Sequence, residues 1–557
     1  MQISFIIKNA KILTMDPQNP FAEAVAIANE TIFAVGSNEE ITKLAQSDTK
    51  IIDAQNHTLL PGFVESHLHF VLGGLELTHL HLSKVHGFDA LQHAVRDYAQ
   101  NHMDEKLLIG YGVAYDIIDR PLTRHDLDAI LDDRPFALMS CDHHTVWANT
   151  AALRQAGLFD DKHGARDAGV VVDDKGEATG ELLEFDAFGP VMALGGEAHL
   201  QLAIATGGEP VPLPDAETRE ADKKKILAGL NYCASFGITS AVNMDGNRYT
   251  LDLCQELYDE GRLPVRVVVP FHFKPQMPLS ELDRASAMHR DFASKWVKSG
   301  FVKMFMDGVA ESRTAYMLED YPDTVGERGT PLFELERFNE ICTEIDKRGL
   351  QIAVHAIGDG AVRAVIDGYE AASKANGKRD ARHRIEHIEL INRDDIPRMA
   401  KLDIIASIQP AHVLGALDFS DHGMEKVFST DRWKDNFLCR TLRDNGIKIA
   451  FSSDWSVADV NVARNLQAHL ARKPFKGAGD ERISRADTLL AYTSGSAYTV
   501  FWEDFTGMVK QGMAADLVLY QADIDDYPAE KLGELKVALT IAGGKITYQA
   551  DQPVLTS

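Results

Sequence analysis

Cysteine and positive charge are both scarce in this sequence of 557 residues. The five cysteines show no CxxC spacing, which argues against a cysteine-built zinc site and a disulfide framework and favours a reducing compartment such as the cytoplasm. Lysine and arginine number 57 against 83 acidic residues, and the net charge of −26 disfavours nucleic acid and anionic membranes as partners. We therefore expect a small-molecule partner, and a homodimer is compatible with a chain of this size.

Long apolar runs and nucleotide-binding motifs are also missing. No stretch approaches the ~20 apolar residues of a membrane span, and the apolar run at 5–7 ends at Lys8. Neither a P-loop nor a GxGxxG motif is present, so nucleotide binding has no support. We expect a protein that is neither exported nor inserted into a membrane. The apolar fraction of 45% is sufficient for a large core.

Both ends of the chain have the alternating pattern of β-strands. Residues 3–60 alternate apolar and polar side chains in three runs, and the C-terminal runs GMAADLVLYQ and KVALTIAGGKITYQ do the same. Gly543 and Gly544 are spaced as the turn of a two-residue hairpin. Because neither piece can bury a core alone, the pattern predicts one small β-sandwich domain built from residues 1–56 and 508–557.

The middle of the chain alternates apolar strands with helix-like segments. A strand ahead of His67 is followed by seven more candidates: ITSAVNM from Ile238, PVRVVVPF from Pro264, FVKMFMDG from Phe301, LQIAVHAIGDG from Leu350, RHRIEHIEL from Arg382, DIIASIQP from Asp403 and IKIAFSSDW from Ile447. Eight parallel strands predict an α/β fold, a (β/α)₈ TIM barrel over residues 57–70 and 221–507. The alternative is an open doubly wound sheet.

The first two of these strands are separated far more widely than the others. From His69 to Ile238 is 169 residues (238 − 69), against a few tens between most later strands. This interval predicts an inserted α+β region after the first strand, at residues 71–220, with strands of its own such as KLLIGYG and FALMSCDHH. We expect the insertion to form a lid or part of a substrate pocket.

The most specific chemical signal is the pair His67 and His69 at the end of the first barrel strand. Residues i and i+2 of a strand point to the same face, so both imidazoles can bind one cation where barrel enzymes assemble their sites. Later strands end in His355, His387 and Asp454, which are also ligand types for Zn²⁺. The alternatives are solvated or hydrogen-bonded core histidines and, for Asp454, a helix N-cap.

Lys303 lies in the apolar strand FVKMFM, where an unpaired ammonium is strongly disfavoured. One explanation is that the amine reacts with CO₂, which gives an N-carboxylated lysine that can bridge two metal ions. The other is an ion pair with a nearby acid such as Asp307. The spacing alone does not choose between them.

Five segments together resemble the amidohydrolase superfamily: PGFVESHLHF, VKMFMDGVAESRTA, AVHAIGDGAV, RIEHIEL and FSSDWSV. The resemblance is strongest to the amidohydrolase 3 branch, which includes YtcJ-like proteins and N-substituted formamide deformylase, and it runs nearly end to end. Glu65 and His143 depart from the pattern, since the branch usually has Asp and Gly there. The first changes the support of the ligands, and the second changes the substrate pocket.

The resemblance implies a role for each matching ligand position. His67 and His69 bind the more buried metal, Lys303 is the carboxylated bridge, and His355 and His387 bind the second metal. Asp454 binds the first metal and is the catalytic residue that takes the proton of the attacking water and returns it to the leaving nitrogen. The predicted cofactor is Zn²⁺, as one or two divalent ions.

The function predicted from these features is metal-dependent hydrolysis of a non-peptide C–N bond in an amide, formamide or cyclic amide. Two residues are predicted to bind substrate: His144, if it is not a surface loop histidine, and Arg313, if it does not pair with Glu311 or Asp307. His412 is expected only to support the metal ligands. The rival functions are a mononuclear deaminase or isomerase of the same superfamily and a non-catalytic scaffold.

Overall fold

A computed structural model describes residues 2–160, 169–417 and 424–551. The described residues form two compact units. The first unit comprises those within Met1–Phe70, Gly229–Met244 and Leu251–Ser557, and the second comprises those within Val71–Ala228 and Asp245–Thr250. Parts of all three predicted domains lie outside the described residues: 1 and 552–557 of the sandwich, 161–168 of the insertion and 418–423 of the barrel.

In the first unit, strands from both ends of the chain share a sheet. A four-stranded sheet has the order Thr31–Gly36, Ala24–Ala28, Phe5–Lys8, Lys50–Asp53. A six-stranded sheet has the order Lys545–Gln549, Val537–Ala542, Leu517–Tyr520, Thr58–Pro61, Lys11–Leu13, Phe21–Ala22. Leu517 pairs antiparallel with Pro61, which joins the two ends of the chain. Ile7 and Ile27 of one sheet and Leu59 and Ile541 of the other belong to one apolar core.

Eight parallel strands carry the candidate ligands of the first unit. They are β1 (Phe63–Leu68), β2 (Ile238–Asn243), β3 in two pieces (Arg266–Val268 and Phe271–His272), β4 (Phe301–Phe305), β5 (Gln351–Ala356), β6 (Arg384–His387), β7 (Ile405–Ile408) and β8 (Ile449–Phe451). β1, β2 and the first piece of β3 form one sheet in that order, with the short strand Val297–Lys298 at its edge. The second piece of β3 and β4 to β8 form another sheet. Every residue of β5 is buried, as expected for a parallel strand covered on both faces.

The last of these strands also contacts the first. The Ser66 hydroxyl donates to the Phe451 carbonyl at 3.0 Å, and the Asp454 amide donates to the His67 carbonyl at 3.0 Å. At the entry to β1, a Cβ on Gly62 would lie 2.2 Å from Cγ2 of Thr239 in β2, so only glycine allows this approach. The C-terminal ends of β1 and β8 therefore lie together.

The described helices, apart from short 3₁₀ turns, occupy the connections between strands. Their bounds are Asn38–Thr42, Phe70–Glu76, Phe88–Asn101, Arg124–Ile130, Thr150–Gln155, Glu184–Met192, Leu202–Thr206, Ala216–Ser235, Arg248–Asp259, Leu282–Asp291, Leu335–Lys347, Asp359–Asn376, Ile396–Lys401, Met424–Val427, Cys439–Asp444, Val462–Ala471, Arg485–Tyr492 and Ser494–Thr499. Within the described residues, no helix combines the length and apolar character that crossing a bilayer requires.

The second unit contains a mixed six-stranded sheet. Its order is Val170–Val172, Ala178–Leu183, Thr145–Ala148, Phe136–Ser140, Leu108–Val113, Leu80–His81. The last three strands are parallel and the others antiparallel. Successive residues Leu108 and Ile109 belong to different apolar clusters, as do Leu138 and Met139, so both faces of this sheet are covered.

Candidate metal centre

His67 is held in one orientation by a buried charge pair. Its Nδ1 lies 2.6 Å from Oε2 of Glu386, and both side chains are almost completely buried. Arg384, two residues earlier on β6, donates from Nη2 to the same oxygen at 2.9 Å. Burial acts to raise the pKa of Glu386. The charge of Arg384 and the contact with His67 outweigh this effect of burial, so the pKa of Glu386 lies well below its usual range. An ionised Glu386 makes Nδ1 of His67 the donor, so Nε2 presents its lone pair.

Asp454 lies where the two ends of the strand series meet. Its Oδ1 is 3.2 Å from Nε2 of His67 and 3.2 Å from Nε2 of His69. Its Oδ2 is 3.9 Å from Nδ1 of His387 and 3.9 Å from Nε2 of His412. Burial acts to raise the pKa of Asp454. The imidazoles of His67 and His69 outweigh this effect of burial, so the pKa of Asp454 lies well below its usual range. The carboxylate is therefore ionised at neutral pH.

These side chains form two groups with the composition of a metal site. His67, His69 and Asp454 form one, and His387, His412 and Asp454 form the other; within each group the ligand atoms lie within 4.8 Å of one another. At Zn²⁺ bond lengths of about 2.0–2.2 Å, two ligands at the tetrahedral angle are about 3.3–3.6 Å apart. The 3.2 Å separations in the first group are close to this spacing. A lone pair of His67 and an ionised carboxylate facing each other also fit a cation.

His387 is also in the state that a metal ligand requires. Its ring is buried, and Nδ1 has no hydrogen-bond partner among the described residues. Burial, together with the neighbouring His355 and His67, lowers its pKa well below the ordinary value, so the ring is neutral. The ring centre lies 4.9 Å from that of His67. A neutral, buried imidazole nitrogen in this position is suited to binding a cation.

His355 is the penultimate residue of β5 and makes contacts of a different kind. Its Nε2 lies 3.0 Å from the carbonyl oxygen of Gly308 and 3.7 Å from Oδ1 of Asp307. Its ring centre is 4.5 Å from that of His387. Asp307 accepts the backbone N–H groups of Ile357 and Gly358, which oppose the effect of burial, but burial still raises its pKa to about 8. His355 is a neighbour of the ligand groups and is not included in either of them.

Lys303 lies on β4, in register with Ala353 of β5 and His272 of β3. It is fully buried, and Nζ is 4.8 Å from the centre of the Phe305 ring. Phe305 in turn lies 5.0 Å from the ring of His355. Both explanations of the buried amine, carboxylation and an ion pair with Asp307, stay predictions.

Each of the two predicted substrate residues contacts a nearby carboxylate. In the second unit, His144 Nδ1 lies 2.8 Å from Oε2 of Glu184. In the first unit, Arg313 pairs with Asp323 at 2.5 Å, a partner that sequence reasoning did not consider, and its side chain is partly exposed. A substrate role for either residue stays a prediction.

The two departures from the family pattern have different surroundings. Glu65 is fully buried on β1 and accepts the Ser453 hydroxyl at 3.0 Å, next to Asp454 in the chain; burial raises its pKa to about 8. It therefore supports the loop that carries Asp454. His143, in the second unit, lies 3.3 Å from Oε1 of Glu76 through Nε2.

Sequence reasoning missed two residues of this centre. Glu386 and Arg384 were not singled out, although two charged residues at i and i+2 of an apolar strand are a recognisable signal. His412 was expected only to support the ligands, but it faces Asp454 from the 3₁₀ turn Pro410–His412 that follows β7.

Comparisons with known proteins agree on one family. A model of the amidohydrolase family matches residues 50–548. Three curated relatives are similar over nearly the whole chain: LONG AFTER FAR-RED 3 of Arabidopsis thaliana (29% identical, 98% of this chain and 91% of the relative), "Putative amidohydrolase YtcJ" of Bacillus subtilis strain 168 (27%, 97% and 98%) and N-substituted formamide deformylase of Arthrobacter pascens (23%, 98% and 98%).

Solved structures agree on the fold. A metal-dependent hydrolase from Pyrococcus horikoshii OT3 superposes with a TM-score of 0.72 at 21% identity and covers 94% of this chain and 98% of its own. Atrazine chlorohydrolase TrzN from Arthrobacter aurescens TC1, solved with zinc, has a TM-score of 0.55 at 14% identity and covers 100% and 97%. Together with the family match, these similarities establish an α/β fold of the TIM-barrel type.

Proposed function

This chain belongs to the amidohydrolase family, and from that membership we propose that it is a metal-dependent hydrolase of a non-peptide C–N bond, in an amide, formamide or cyclic amide. The observation that carries the proposal is the convergence of His67, His69, His387 and His412 on the two oxygens of Asp454. The deformylase relative supports the formamide class by its name.

His67, His69 and Asp454 would hold the first divalent ion, for which Zn²⁺ fits the nitrogen and oxygen donors. Such an ion supplies a Lewis acid and lowers the pKa of water from 15.7 to about 7. Glu386 keeps the proton of His67 on Nδ1, so Nε2 stays available as a ligand atom. From the family resemblance, we further propose that His355, His387 and N-carboxylated Lys303 would bind a second ion.

Asp454 is proposed as the catalytic residue. Its ionised carboxylate can take a proton from the attacking water on Oδ2, the oxygen that faces His387 and His412. The same oxygen then returns the proton to the leaving nitrogen, which makes Asp454 a general base and then a general acid. His144 and Arg313 are each proposed to bind substrate.

We also propose a closed barrel, a β-sandwich domain, an insertion and a cytoplasmic location for this chain. The hydrogen bonds between the ends of β1 and β8 support a closed (β/α)₈ barrel. The shared sheet of N- and C-terminal strands supports a β-sandwich domain built from both ends, and the second unit is the proposed insertion. The five cysteines form no disulfide, which supports a reducing compartment, the cytoplasm, as the location. A homodimer stays a prediction.

The test is hydrolysis of formamides, N-acyl amines and cyclic amides by the zinc-loaded chain. Asp454→Asn should lower kcat/KM by about 10²–10⁴-fold, the usual range for losing a general base. Activity of Asp454→Asn at the wild-type level would exclude the mechanism. Identification of the products separates hydrolysis from the rival deamination, because only deamination releases ammonia from an amino substituent on a ring. An intact mass higher by about 44 Da, the mass of CO₂, would show carboxylation of Lys303.

A further inference from the structure

We propose that the second unit binds a small organic ammonium ion in a cavity whose lining residues all belong to that unit. The cavity has a volume of about 250 Å³. This equals the liquid volume of about eight water molecules, which suits a molecule with one small ring or a short alkyl chain. The inference goes beyond the proposed hydrolysis and does not depend on it, because no residue of the cavity belongs to either ligand group.

Much of the cavity wall is apolar. Four buried aliphatic or thioether side chains line it: Leu75, Leu107, Ile109 and Met192. Tyr111, which is 1% exposed, also lines it. Aromatic rings attract cations, including the ammonium groups of ligands. A wall of this composition suits a cation that carries a hydrocarbon group, whereas an ion such as Ca²⁺ requires six to eight oxygen ligands.

Glu105 contributes a carboxylate whose charge is not matched by a cation. Its Oε1 accepts the hydroxyl of Tyr98 at 2.9 Å, and burial together with this hydrogen bond raises the pKa of Tyr98, so the donor is a neutral phenol. Its Oε2 is buried and has no hydrogen-bond partner among the described residues. Lys106 also lines the cavity, but its side chain is exposed, so water screens its charge. A buried carboxylate oxygen without a donor is costly, and a bound ammonium supplies both the donor and the charge.

His79 contributes a second hydrogen-bond acceptor. Its Nε2 lies 3.2 Å from Oε2 of Glu197, and Nζ of Lys225 lies 2.5 Å from Oε1 of the same carboxylate. Burial acts to raise the pKa of Glu197. The contacts with His79 and Lys225 outweigh this effect of burial, so the pKa of Glu197 is lowered. Next to an ionised carboxylate Nε2 is the donor, which leaves the lone pair of the neutral ring on Nδ1.

The polar groups of the cavity therefore favour a ligand that is both a donor and a cation. The charge of Glu197 is already matched by Lys225, but that of Glu105 is not. Nδ1 of His79, like Oε2 of Glu105, is buried and has no hydrogen-bond partner among the described residues. A primary alkylammonium ion has one positive charge and three N–H donors, as the side chain of lysine does. It satisfies these acceptors while its hydrocarbon part contacts the apolar wall.

The test is titration of the full-length chain with cyclohexylamine and with cyclohexanol, its neutral counterpart of the same shape. Calorimetry measures both ligands on zinc-loaded protein and on protein stripped of metal with a chelator. We expect one amine site per chain, with an affinity at least about 10-fold higher than that for the alcohol, because hydrogen bonds to charged groups are about twice as strong as neutral ones. The affinity for the amine should agree within about twofold between the two forms of the protein, since no cavity residue is a candidate metal ligand.

Glu105→Gln tests the charge of the cavity. The variant keeps the shape of the side chain and an oxygen for the Tyr98 hydroxyl, so cyclohexanol should bind within about twofold of the wild type. Cyclohexylamine should bind about 10-fold more weakly or worse, because the charge-assisted hydrogen bond is lost. The matched control is Glu177→Gln in the same unit. Glu177 pairs with Arg124 at 2.7 Å and does not line the cavity, so this variant should retain the wild-type affinity for the amine.

Gly195→Leu tests the cavity itself. A Cβ on Gly195 would lie 3.9 Å from Cβ of Leu107, which is an ordinary van der Waals contact with the cavity wall. A leucine side chain at this position therefore occupies part of the volume, and the binding of both ligands should be lost.

The inference would be overturned by no saturable amine binding, by wild-type amine affinity in Glu105→Gln or Gly195→Leu, by equal affinities for amine and alcohol, or by amine binding that disappears with the metal. If Glu105→Gln does not fold, which thermal unfolding reports, the outcome for Gly195→Leu decides. Hydrolysis without amine binding would remove this inference and leave the proposed function. Amine binding without hydrolysis of any C–N substrate would do the reverse.

Discussion

A histidine Nδ1 meets a glutamate Oε2 in each unit of the molecule, at 2.6 Å in His67–Glu386 and 2.8 Å in His144–Glu184. The pair in the first unit is 1% and 0% exposed, and Arg384 holds its carboxylate. The pair in the second unit is 18% and 37% exposed. The same two residue types thus give a fixed lone pair in one place and a partly solvated histidine–carboxylate contact in the other. Burial and a second charged partner make the difference, because they remove the alternative tautomers and rotamers.

Replacing the two histidines should give the largest contrast. His67→Asn removes a nitrogen that lies 3.2 Å from Asp454, so zinc affinity should fall by more than about 100-fold, the upper limit for losing an outer partner. His144→Asn should retain the zinc content of the wild type. Calorimetric titration of the stripped proteins measures both. Equal zinc binding by the two variants would remove the distinction between the pairs.

Arg384 should account for much of the stability of the buried pair. Arg384→Met leaves Glu386 as an uncompensated buried charge, and breaking such a pair costs about 3–5 kcal/mol of the free energy of unfolding. The control is Arg120→Met in the second unit, where Arg120 is 58% exposed and pairs with Asp126; its cost should be about 0–1 kcal/mol. Urea unfolding followed by fluorescence compares the two. Similar losses would mean that burial does not strengthen the first pair.

The two glutamates provide a finer test of the same contrast. Glu386→Gln keeps the shape of the side chain but removes the charge that holds His67, so zinc affinity should fall by about 10–100-fold. Glu184→Gln should leave zinc affinity within about twofold of the wild type, since its partner His144 belongs to neither ligand group. A loss in Glu184→Gln as large as in Glu386→Gln would contradict this interpretation.

Much of the fold is readable in the sequence because it follows from local patterns. The hairpin at Gly543 and Gly544 is confirmed: both residues have positive φ, 54° and 70°, and Ala542 pairs with Lys545 across them. The expected fold of the TIM-barrel type is also confirmed by the family match and the solved structures. It was predictable because apolar strands that alternate with helical segments form a parallel sheet. The resemblance to the amidohydrolases is confirmed by the family match.

The site is readable only where a ligand ends a strand. His67, His387 and Asp454 follow apolar runs, so their strand gives their position. His412 lies on a 3₁₀ turn after Pro410, and its direction depends on packing against Glu389 and His387, which no local spacing encodes. The contacts of His355 with Gly308 and of Arg313 with Asp323 likewise depend on loop conformations.

A third pair in the first unit, His383–Asp346, tests whether burial alone is sufficient for a ligand. The two side chains are 9% and 4% exposed, at 3.2 Å, but no ligand group includes them. Burial acts to raise the pKa of Asp346. This effect is outweighed by hydrogen bonds from His383 and Asn376 and by the charge of Arg379, which lower the pKa to about 2 from the usual 3.8. Between these values the unfolded chain binds more protons than the folded one, so this carboxylate stabilises the fold above about pH 4 and loses its effect as the pH falls toward 2. Asp346→Asn should therefore have a lower melting temperature than the wild type at pH 6, and this difference should shrink between pH 4 and 3. The variant should bind as much zinc as the wild type. A pH-independent difference in melting temperature, or a loss of zinc, would show that the pair has another role.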